Sequence, residues 1–455
     1  MIERCEHHVV HDFVAYPARP PVLGPILRLV GVCATVLAVH GAHATGAPSG
    51  PVSVGYAPLV LGIGDPMERE AALGLMRRAV DVGVNVWPEM AERHMEVPLD
   101  YFSDPATFAK EKALYERSPL ALIASSEIAN ANDFVVRNAV GRSVLVTRDE
   151  DGRAHAYLNY CRHRGAEPAH GCGNARRFTC PYHGWVYDPK GALVGLPLRD
   201  RHDNLDLGNY GLVELPSEER HGFVWVVLQR DLPIDVAAHL GALDDEIGRL
   251  GCDKMRYYPS HEEARIDANW KAVAEGLLEG IHVPIVHAQT FNLNPQAANV
   301  DLAYYDGFGP HVRWGLGLFD HDGATQLRAT PEAEWKPDEA IGNIWLLSPG
   351  LLLANELYGI IYATLTPGSH PGESFFRYGW LSPVSEAPAG MPSPEQLADR
   401  ARRAVYEDLA VWEGCGRGLA KGQHSHELIG RNEKGLQLFH EGLARETGYT
   451  GLRYV

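Results

Sequence analysis

The chain has 455 residues, of which 45% are hydrophobic and 22% are charged, and its net charge is −17. This length favours two domains with extensions over one compact core, and the composition is ordinary for a globular enzyme. The negative charge argues against a general nucleic-acid-binding protein, which would need a basic surface against the phosphates. The 7 cysteines are scattered and odd in number, which is unlike a secreted disulfide framework and favours a reducing cytoplasm.

The N-terminal residues 1–75 contain clusters of proline and glycine without a clear amphipathic period, so we expect a poorly ordered extension there. The apolar run 22–42 resembles the core of a signal peptide, but acidic residues precede it and Arg28 interrupts it. An upstream extension of the reading frame explains these features better than an export signal or a membrane span. Three methionines could then serve as the start: Met67, Met76 and Met90.

Helical patterns come next in the chain. Residues 68–80 place Leu73, Met76 and Val80 on one face, and residues 106–117 form a second helix. Either Ser103 or Asp104 could cap the second helix. We expect residues 76–118 to be helices that join the C-terminal domain.

Short β-rich runs dominate residues 119–235, and Asp151-Gly152 predicts a hairpin turn between two of them. Pro233 marks the end of this region. The predicted strands are 133–141, 142–149, 155–161, 211–215 and 222–228.

Residues 236–455 mix long helices with strands, which predicts an antiparallel sheet that encloses a cavity and is flanked by helices. The whole chain is therefore predicted to be α+β, with an all-β domain before this mixed domain. The predicted helices are 269–283, 394–418 and 432–446. The predicted strands are 311–319, 343–357, 358–367 and 374–383.

Two cysteines and two histidines follow the pattern C-x-H-x16-C-x2-H: Cys161, His163, Cys180 and His183. Each pair can occupy one tight loop, with the cysteines on one iron of a [2Fe–2S] cluster and the histidines on the other. A structural zinc site uses the same ligand types. A zinc finger, however, places its histidines about three to five residues apart on one helix, whereas here they alternate with cysteines in two loops, which favours iron–sulfur.

This segment resembles the Rieske domain family, in its oxygenase branch. The flanking residues fit as well: Gly165, Pro181, Gly184 and Trp185. Rieske proteins of respiratory complexes carry one additional cysteine in each loop, and the two form a disulfide. The corresponding positions here hold Ala166 and Tyr182, so the resemblance implies the lower-potential type found in oxygenases and ferredoxins.

A second metal-ligand pattern follows Asn269-Trp270-Lys271. On a helix Glu279 and His282 would share one face, and Pro284 would end that helix and turn His287 back toward His282. Two histidines and a carboxylate leave open positions on Fe(II) for O2 and substrate. The H-x4-H spacing is weak by itself, because many histidines only satisfy hydrogen bonds, but the upstream cluster motif strengthens it.

From about residue 95 to 450 the chain resembles the large (alpha) subunit of Rieske non-haem iron ring-hydroxylating oxygenases, whose catalytic domain has a helix-grip fold. The resemblance implies that His282 and His287 bind the mononuclear iron and that Glu279 bridges to a cluster histidine of the neighbouring subunit. The family acid is usually Asp, so Glu279 changes the length of this bridge. Asp408 matches the family's third ligand, with three alternatives: Glu407, Glu413 and Asp320.

The resemblance also implies a function and partners. A reductase that uses NAD(P)H, with a ferredoxin in some systems, would supply electrons to the cluster. They would then reach the Fe(II) of the next subunit in a head-to-tail homotrimer, with or without a beta subunit. O2 would hydroxylate or dihydroxylate an aromatic or other apolar substrate.

Three other functions stay open from the sequence. These are a monooxygenase for a quaternary amine or an N- or O-methyl group, an electron-transfer Rieske protein without oxygenase chemistry, and a zinc protein that binds a hydrophobic ligand. We expect a cytoplasmic protein with neither a nucleic acid nor a membrane as partner.

Overall fold

The computed structural model describes residues 66–202, 205–287, 290, 302–356, 359–383, 392–422 and 424–455. The chain divides into two units, Met1–Tyr56 and Ala57–Val455, and every element named below belongs to the second unit. Of the helices in these described ranges, none is both long enough and apolar enough to cross a bilayer.

The helices are α1 (Pro66–Asn85), α2 (Asp100–Ser103), α3 (Pro105–Arg117), α4 (Val236–Leu240), α5 (Asp244–Arg249), α6 (Trp270–Gly276), α7 (Val283–Val286), α8 (His321–Ala329), α9 (Pro337–Ala340), α10 (Pro394–Lys421) and α11 (Lys434–Thr447). The strands are β1 (Met95–Pro98), β2 (Leu120–Ala124), β3 (Asp133–Ala139), β4 (Arg142–Arg148), β5 (Ala154–Leu158), β6 (Cys172–Asn174), β7 (Phe178–Thr179), β8 (Val186–Tyr187), β9 (Leu193–Gly195), β10 (Val213–Leu215), β11 (Ser217–Arg220), β12 (Phe223–Val226), β13 (Met255–Ile266), β14 (Ala303–Phe308), β15 (His311–Gly317), β16 (Ile341–Leu347), β17 (Leu351–Glu356), β18 (Gly359–Pro367), β19 (Ser374–Pro383), β20 (His426–Ile429) and β21 (Arg453–Tyr454).

Helix α1 begins earlier than the sequence predicts. Residues 66–75 are helical, where we expected poor order, and residues 1–65 lie outside the described residues. The predicted apolar face is buried against the mixed domain, and this contact explains the order. Helix α3 begins where predicted, and Asp104 is its cap because its carboxylate accepts the Thr107 N–H at 2.8 Å.

The small β domain combines three sheets, with strand orders β10-β5-β4-β3-β6, β11-β12-β2 and β7-β8-β9. Strands β4 and β5 pair antiparallel, with Val146 opposite Ala156. Gly152 in the connecting turn has a φ of 82°, a backbone conformation that glycine adopts without strain. The predicted hairpin at Asp151-Gly152 is confirmed. The short sheet of β7, β8 and β9 lies next to one of the two cysteine–histidine loops.

The mixed domain is built on one antiparallel sheet of seven strands in the order β13-β19-β18-β17-β16-β15-β14. The sequence predicted one strand at 343–357, and this was wrong. The structure forms β16 and β17, which pair antiparallel with Leu347 opposite Leu351. The Ser-Pro-Gly segment between them makes the turn, since proline and glycine favour turns over strand interiors.

Helix α10 lies against this sheet through a stripe of buried side chains at helical spacing: Leu397, Ala401, Val405, Asp408 and Trp412. Its start is fixed by Ser393, whose hydroxyl accepts the Gln396 N–H. One member of this otherwise apolar stripe is a carboxylate. Asp408 therefore faces the interior of the domain instead of solvent.

The helix predicted over 269–283 is shorter than expected. Helix α6 ends at Gly276, and Glu279 lies in the turn between α6 and α7. The expectation that Pro284 ends a helix was also wrong, because Pro284 lies in the first turn of α7. The first turn needs no N–H donor, so proline is well suited to that place.

Candidate functional site

The two cysteine–histidine loops have the same backbone design. In the first, the Gly165 N–H donates to the Cys161 carbonyl at 2.8 Å, and in the second the Gly184 N–H donates to the Cys180 carbonyl at 3.0 Å. Both glycines have a positive φ, 79° and 69°, and this conformation closes each turn. The local sequence thus folds each loop around its own cysteine.

The two thiols lie inside the small domain. Cys161 and Cys180 are 3% and 2% exposed, and their side chains contact each other. The Tyr187 hydroxyl lies 3.2 Å from the Cys161 sulfur and accepts the Arg162 N–H at 2.9 Å. Burial raises the pKa of the Cys161 thiol, and its contact with the Tyr187 hydroxyl opposes that shift.

The two imidazoles of these loops lie at the surface. The Nδ1 atoms of His163 and His183 are 3.1 Å apart. Trp185 stacks on the His163 ring at 5.1 Å between centroids, and the exposed Tyr182 ring lies 3.8 Å from the His183 ring. Burial and the nearby His183 lower the pKa of His163, so its neutral form, the one that binds metals, is favoured. The four predicted ligands thus form one group with the sulfurs inside and the nitrogens outside.

The second predicted set converges from two distant parts of the chain. Asp408 Oδ1 lies 3.1 Å from His287 Nε2 and 3.7 Å from His282 Nε2. Ligand atoms of these three residues all lie within 4.8 Å of one another, and no other such three-residue group occurs in the described ranges. His282 and His287 flank α7, whereas Asp408 comes from α10.

Two glycines allow α10 to approach the α6 segment closely. A Cβ on Gly276 would lie 2.2 Å from the Trp412 indole nitrogen, and a Cβ on Gly416 would lie 2.8 Å from the Ala268 backbone. Both distances are too short for any larger residue. These glycines therefore determine how closely Asp408 can approach the two histidines.

Each imidazole also contacts a second carboxylate through its Nδ1 atom, on the side of the ring away from Asp408. Glu279 contacts His282 Nδ1, and it also accepts the His282 N–H at 3.2 Å. Glu407 lies 2.8 Å from His287 Nδ1 and accepts the Thr290 hydroxyl at 2.7 Å. A carboxylate on Nδ1 keeps the proton there and directs the Nε2 lone pair toward a metal.

The electrostatics of the three-residue group follow from these carboxylates. Burial alone would lower the pKa of His287, but hydrogen bonds and charge interactions with Asp408 and Glu407 raise it overall. A cation placed between the ligand atoms would compensate the same negative charge. The site therefore favours a positive species, either a proton or a metal ion.

The alternatives to Asp408 as the third ligand have other roles in the structure. Glu413 faces Arg417 one turn later on α10, with charged atoms 4.0 Å apart. Asp320 caps α8 by accepting the Gly323 N–H at 2.8 Å. Glu407 contacts the far nitrogen of His287, because successive residues of a helix differ by about 100° in direction and cannot both face the same point.

The donor sets fit the groups that the sequence implies. Two thiols and two imidazoles that meet at their Nδ1 atoms suit a Rieske [2Fe–2S] cluster better than a zinc finger. Two imidazoles and one carboxylate suit Fe(II) and leave open positions. Sequence reasoning missed the roles of Tyr187 and Glu407. No motif singles out Tyr187, whereas the position of Glu407 beside Asp408 on a helix could have excluded it as a ligand.

Comparison with protein families gives two matches. The Rieske [2Fe-2S] domain family matches residues 118–213. The family described as Ring hydroxylating alpha subunit (catalytic domain) matches residues 252–448. The domain limits predicted from the sequence, 119–235 and 236–455, stay predictions.

Curated relatives come from bacteria and plants. The chain is 32% identical over 242 residues to the N,N-dimethyl phenylurea N-demethylase subunit alpha of a Sphingobium species, a match that covers 51% of this chain and 52% of the relative. It is 30% identical to the carnitine monooxygenase oxygenase subunit of Escherichia coli K12 over 42% of this chain and 52% of the relative. It is 33% identical to the 2-halobenzoate 1,2-dioxygenase large subunit of Burkholderia cepacia over 41% of this chain and 42% of the relative. The chain thus spans about half the length of the curated relatives it matches.

Solved structures share the fold over most of the chain. A quaternary ammonium Rieske monooxygenase in complex with L-carnitine aligns with a TM-score of 0.64 and 20% identity, covering 80% of this chain and 98% of the other. A naphthalene 1,2-dioxygenase from a Rhodococcus species aligns with a TM-score of 0.61 and 19% identity, covering 84% of this chain and 98% of the other. The predicted fold class, an all-β Rieske domain followed by a sheet-and-helix catalytic domain, is confirmed.

Proposed function

The chain belongs to the Rieske-type ring-hydroxylating oxygenase alpha-subunit family, and from this premise we propose that it is the terminal oxygenase component of an O2-dependent system. The observation that carries the proposal is the pair of complete ligand sets in one chain, one of sulfur and nitrogen and one of nitrogen and oxygen. The residues proposed for the cluster are Cys161, His163, Cys180 and His183, and those proposed for the mononuclear iron are His282, His287 and Asp408.

The chain's residues prepare the site for this chemistry. When bound, the cluster would supply single electrons and the mononuclear iron would activate O2. Glu279 and Glu407 fix the orientation of the two imidazoles, so that both Nε2 atoms face Asp408. Three protein ligands would leave open coordination positions on Fe(II), which O2 and an organic substrate could approach.

Electrons would enter from a reductase that oxidises NAD(P)H, directly or through a ferredoxin, and would pass between subunits. His183 is exposed, and the exposed Arg162 flanks this surface. On the catalytic domain, Glu279 lies beside the exposed side chains of Ile281 and Ile285, which are 38% and 76% exposed. A contact between the arginine-flanked cluster surface of one subunit and this acidic, apolar segment of the next would form a head-to-tail homotrimer. We place the protein in the cytoplasm, where the cysteine ligands stay reduced.

Two substrate classes are candidates. Hydroxylation or dihydroxylation of an aromatic or other apolar compound follows from the family, and the 2-halobenzoate and naphthalene dioxygenases support it. Monooxygenation of an N-methyl group or a quaternary amine is the second candidate. It is supported by similarity to an N-demethylase and to a carnitine monooxygenase, the latter in both sequence and fold.

Metal analysis tests the oxygenase proposal directly. We expect about three iron atoms and two acid-labile sulfides per chain, with the red-brown absorption of a Rieske cluster. About two irons would instead indicate an electron carrier without a mononuclear site, and zinc without cluster absorption would indicate the structural alternative.

A substrate screen tests the reaction. With a surrogate reductase, consumption of NADH and O2 should rise together when a substrate binds. The panel should pair N-methyl compounds (N,N-dimethyl phenylurea, carnitine and choline) with aromatic ones (2-halobenzoate and naphthalene). Oxygenated product from one group and none from the other would decide between the candidates, while peroxide as the sole product throughout would reject both.

A further inference from the structure

A buried group of titratable side chains lies behind the metal-ligand segment and has no part in the function described so far. Its members are Glu275 at the end of α6, Glu427 in β20 and His440 on α11, here called the buried trio. His440 Nε2 lies 2.8 Å from Glu275 Oε1, and His440 is fully buried. The carboxyl groups of Glu275 and Glu427 are within hydrogen-bonding reach of each other.

The trio lacks ordinary hydrogen-bond partners among the described residues. Glu275 Oε1, Glu427 Oε2 and both ring nitrogens of His440 are buried without one. The 2.8 Å contact between His440 and Glu275 has the distance of a hydrogen bond but not its direction. Buried polar atoms are usually satisfied, so this group is an exception that calls for a physical explanation.

The neighbouring charges do not compensate the two acids. Lys271 is the nearby cation and its charge lowers the pKa of Glu275, but its ammonium group is paired with Glu111 at 2.6 Å and does not offset the effect of burial. Glu433, Tyr101 and Cys415 also interact electrostatically with Glu275, and each contributes negative charge or none. An ionised Glu275 beside an ionised Glu427 would have only His440 as a counter-ion, and burial lowers the pKa of His440 to about 4, so this imidazole is neutral at pH 7.

Two carboxylates in contact inside a protein cannot both be ionised, so they must share a proton or a cation. The spacing argues against a metal ion, because the only three-residue group with converging ligand atoms in the described ranges is that of His282, His287 and Asp408. Burial raises the pKa of Glu275 and of Glu427 to about 8, and burial lowers the pKa of His440 to about 4. A proton shared by the two acids at neutral pH explains why their carboxyl groups can lie in contact inside the protein.

We propose that the buried trio stores protons and supplies them to the oxygenase reaction. We assign Glu433 as the connecting group, because the start of α11 packs on the segment before Glu279, where a Cβ on Gly435 would lie 3.1 Å from the Leu278 carbonyl oxygen. The charge of Glu433 also acts on both acids of the trio, and the charge of Glu279 acts on Glu433. The role rests on the proposed function. There, one C–H bond, O2, two electrons from the reductase and two protons give one C–OH bond and one water, so each turnover consumes two protons.

Infrared spectroscopy of the holoenzyme tests whether the proton is stored. The carbonyl band of a protonated carboxylic acid should be present at pH 7, shift in D2O and disappear as the pH rises through about 8. Glu427→Gln should weaken this band, whereas Glu446→Gln, at an exposed position on α11, should leave it unchanged. The absence of the band at pH 7, or an unchanged band in both Glu427→Gln and Glu275→Gln, would overturn the proposal.

Kinetics test whether the proton is used. At saturating substrate and O2, Glu427→Gln should lower kcat by roughly 10-fold or more with KM little changed, and it should increase the solvent isotope effect. The loss relative to wild type should be larger at pH 6.5, where the wild-type acids hold their proton, than at pH 8.5, where they have released it, and a merely structural defect would not produce this difference. An unaltered isotope effect and pH profile in Glu427→Gln and Glu433→Gln would refute the supply role.

The two proposals fail separately. An infrared band in a protein that oxygenates no substrate would leave the stored proton intact and count against the oxygenase. An active oxygenase without the band would support the oxygenase proposal and overturn the stored proton.

Discussion

The two candidate metal centres are held in opposite ways. All proposed ligands of the cluster lie within residues 161–183, and backbone turns closed by Gly165 and Gly184 position them. The proposed ligands of the iron come from residues 282–287 and from Asp408, and packing between α10 and the α6 segment brings them together. The first centre therefore depends on local geometry and the second on tertiary structure, so substitutions should separate the two.

The largest expected effect comes from Asp408→Ala. The substitution leaves two imidazoles without their carboxylate, so the mononuclear iron and all oxygenase turnover should be lost. Because the cluster loops are independent of α10, the cluster absorption and about two irons per chain should remain. Metal analysis with visible spectroscopy checks this. Glu413→Ala, a half-buried position on the same helix whose side chain faces Arg417, should keep about three irons, and a third iron retained in Asp408→Ala would reject Asp408 as a ligand.

A smaller effect, roughly 100-fold on turnover, is expected from Glu279→Gln. The amide can still accept the backbone N–H of His282 but cannot carry the carboxylate charge toward its Nδ1. Both metal centres should stay loaded while single-turnover oxidation of the pre-reduced cluster slows, as stopped-flow absorbance would record. Glu279→Asp should restore part of the rate. Equal rates in wild type and Glu279→Gln would exclude a role in electron transfer between the centres.

The effect of Glu407→Gln should be confined to the iron site, with metal affinity reduced by about 10-fold. Glu407 orients His287 through its contact with Nδ1, and an amide oxygen accepts a weaker hydrogen bond from the imidazole N–H than a carboxylate does. Competition with a chelator for Fe(II) or Co(II) in anaerobic protein gives the dissociation constant. Glu413→Gln is the matched control, and the cluster spectrum should be identical in both variants. If the affinity of Glu407→Gln equals that of the control, the contact has no role in metal binding.

The difference between a site built by local turns and a site built by tertiary packing also explains which features the sequence could predict. The cluster motif is local, so its residues could be named from their spacing, and β-rich runs and turn residues identified one hairpin and five of the eleven strands of the β domain. The spacing of His282 and His287 indicated a metal pair, but Asp408 could be named only through resemblance, since nothing in the order of residues brings 408 beside 282. The helix predicted over 269–283 ends at Gly276, because tertiary contact with Trp412 requires a glycine where periodicity predicts a continuous helix.

The smallest effect concerns stability and needs no metal for its interpretation. Burial raises the pKa of Glu275 to about 8, whereas an unfolded chain has a glutamate pKa of about 4.3. Between these values the folded state binds a proton that the unfolded state has released. The stabilising contribution is therefore complete below the unfolded pKa and is lost as the pH rises through about 8.

His440 has the opposite dependence, but only at lower pH. Burial lowers its pKa to about 4, so it reduces stability as the pH falls below its unfolded value of about 6.5. A comparison between pH 6.5 and 8.5 therefore isolates the acids. Wild type should melt at a lower temperature at pH 8.5 than at pH 6.5, and in Glu275→Gln this difference should be smaller by a few degrees. Calorimetry at both pH values measures it, with Glu446→Gln as the control. Parallel shifts in all three proteins would mean that Glu275 is ionised when buried. That state requires a counter-ion, and the neighbouring His440, 2.8 Å away, would have to be protonated to provide it.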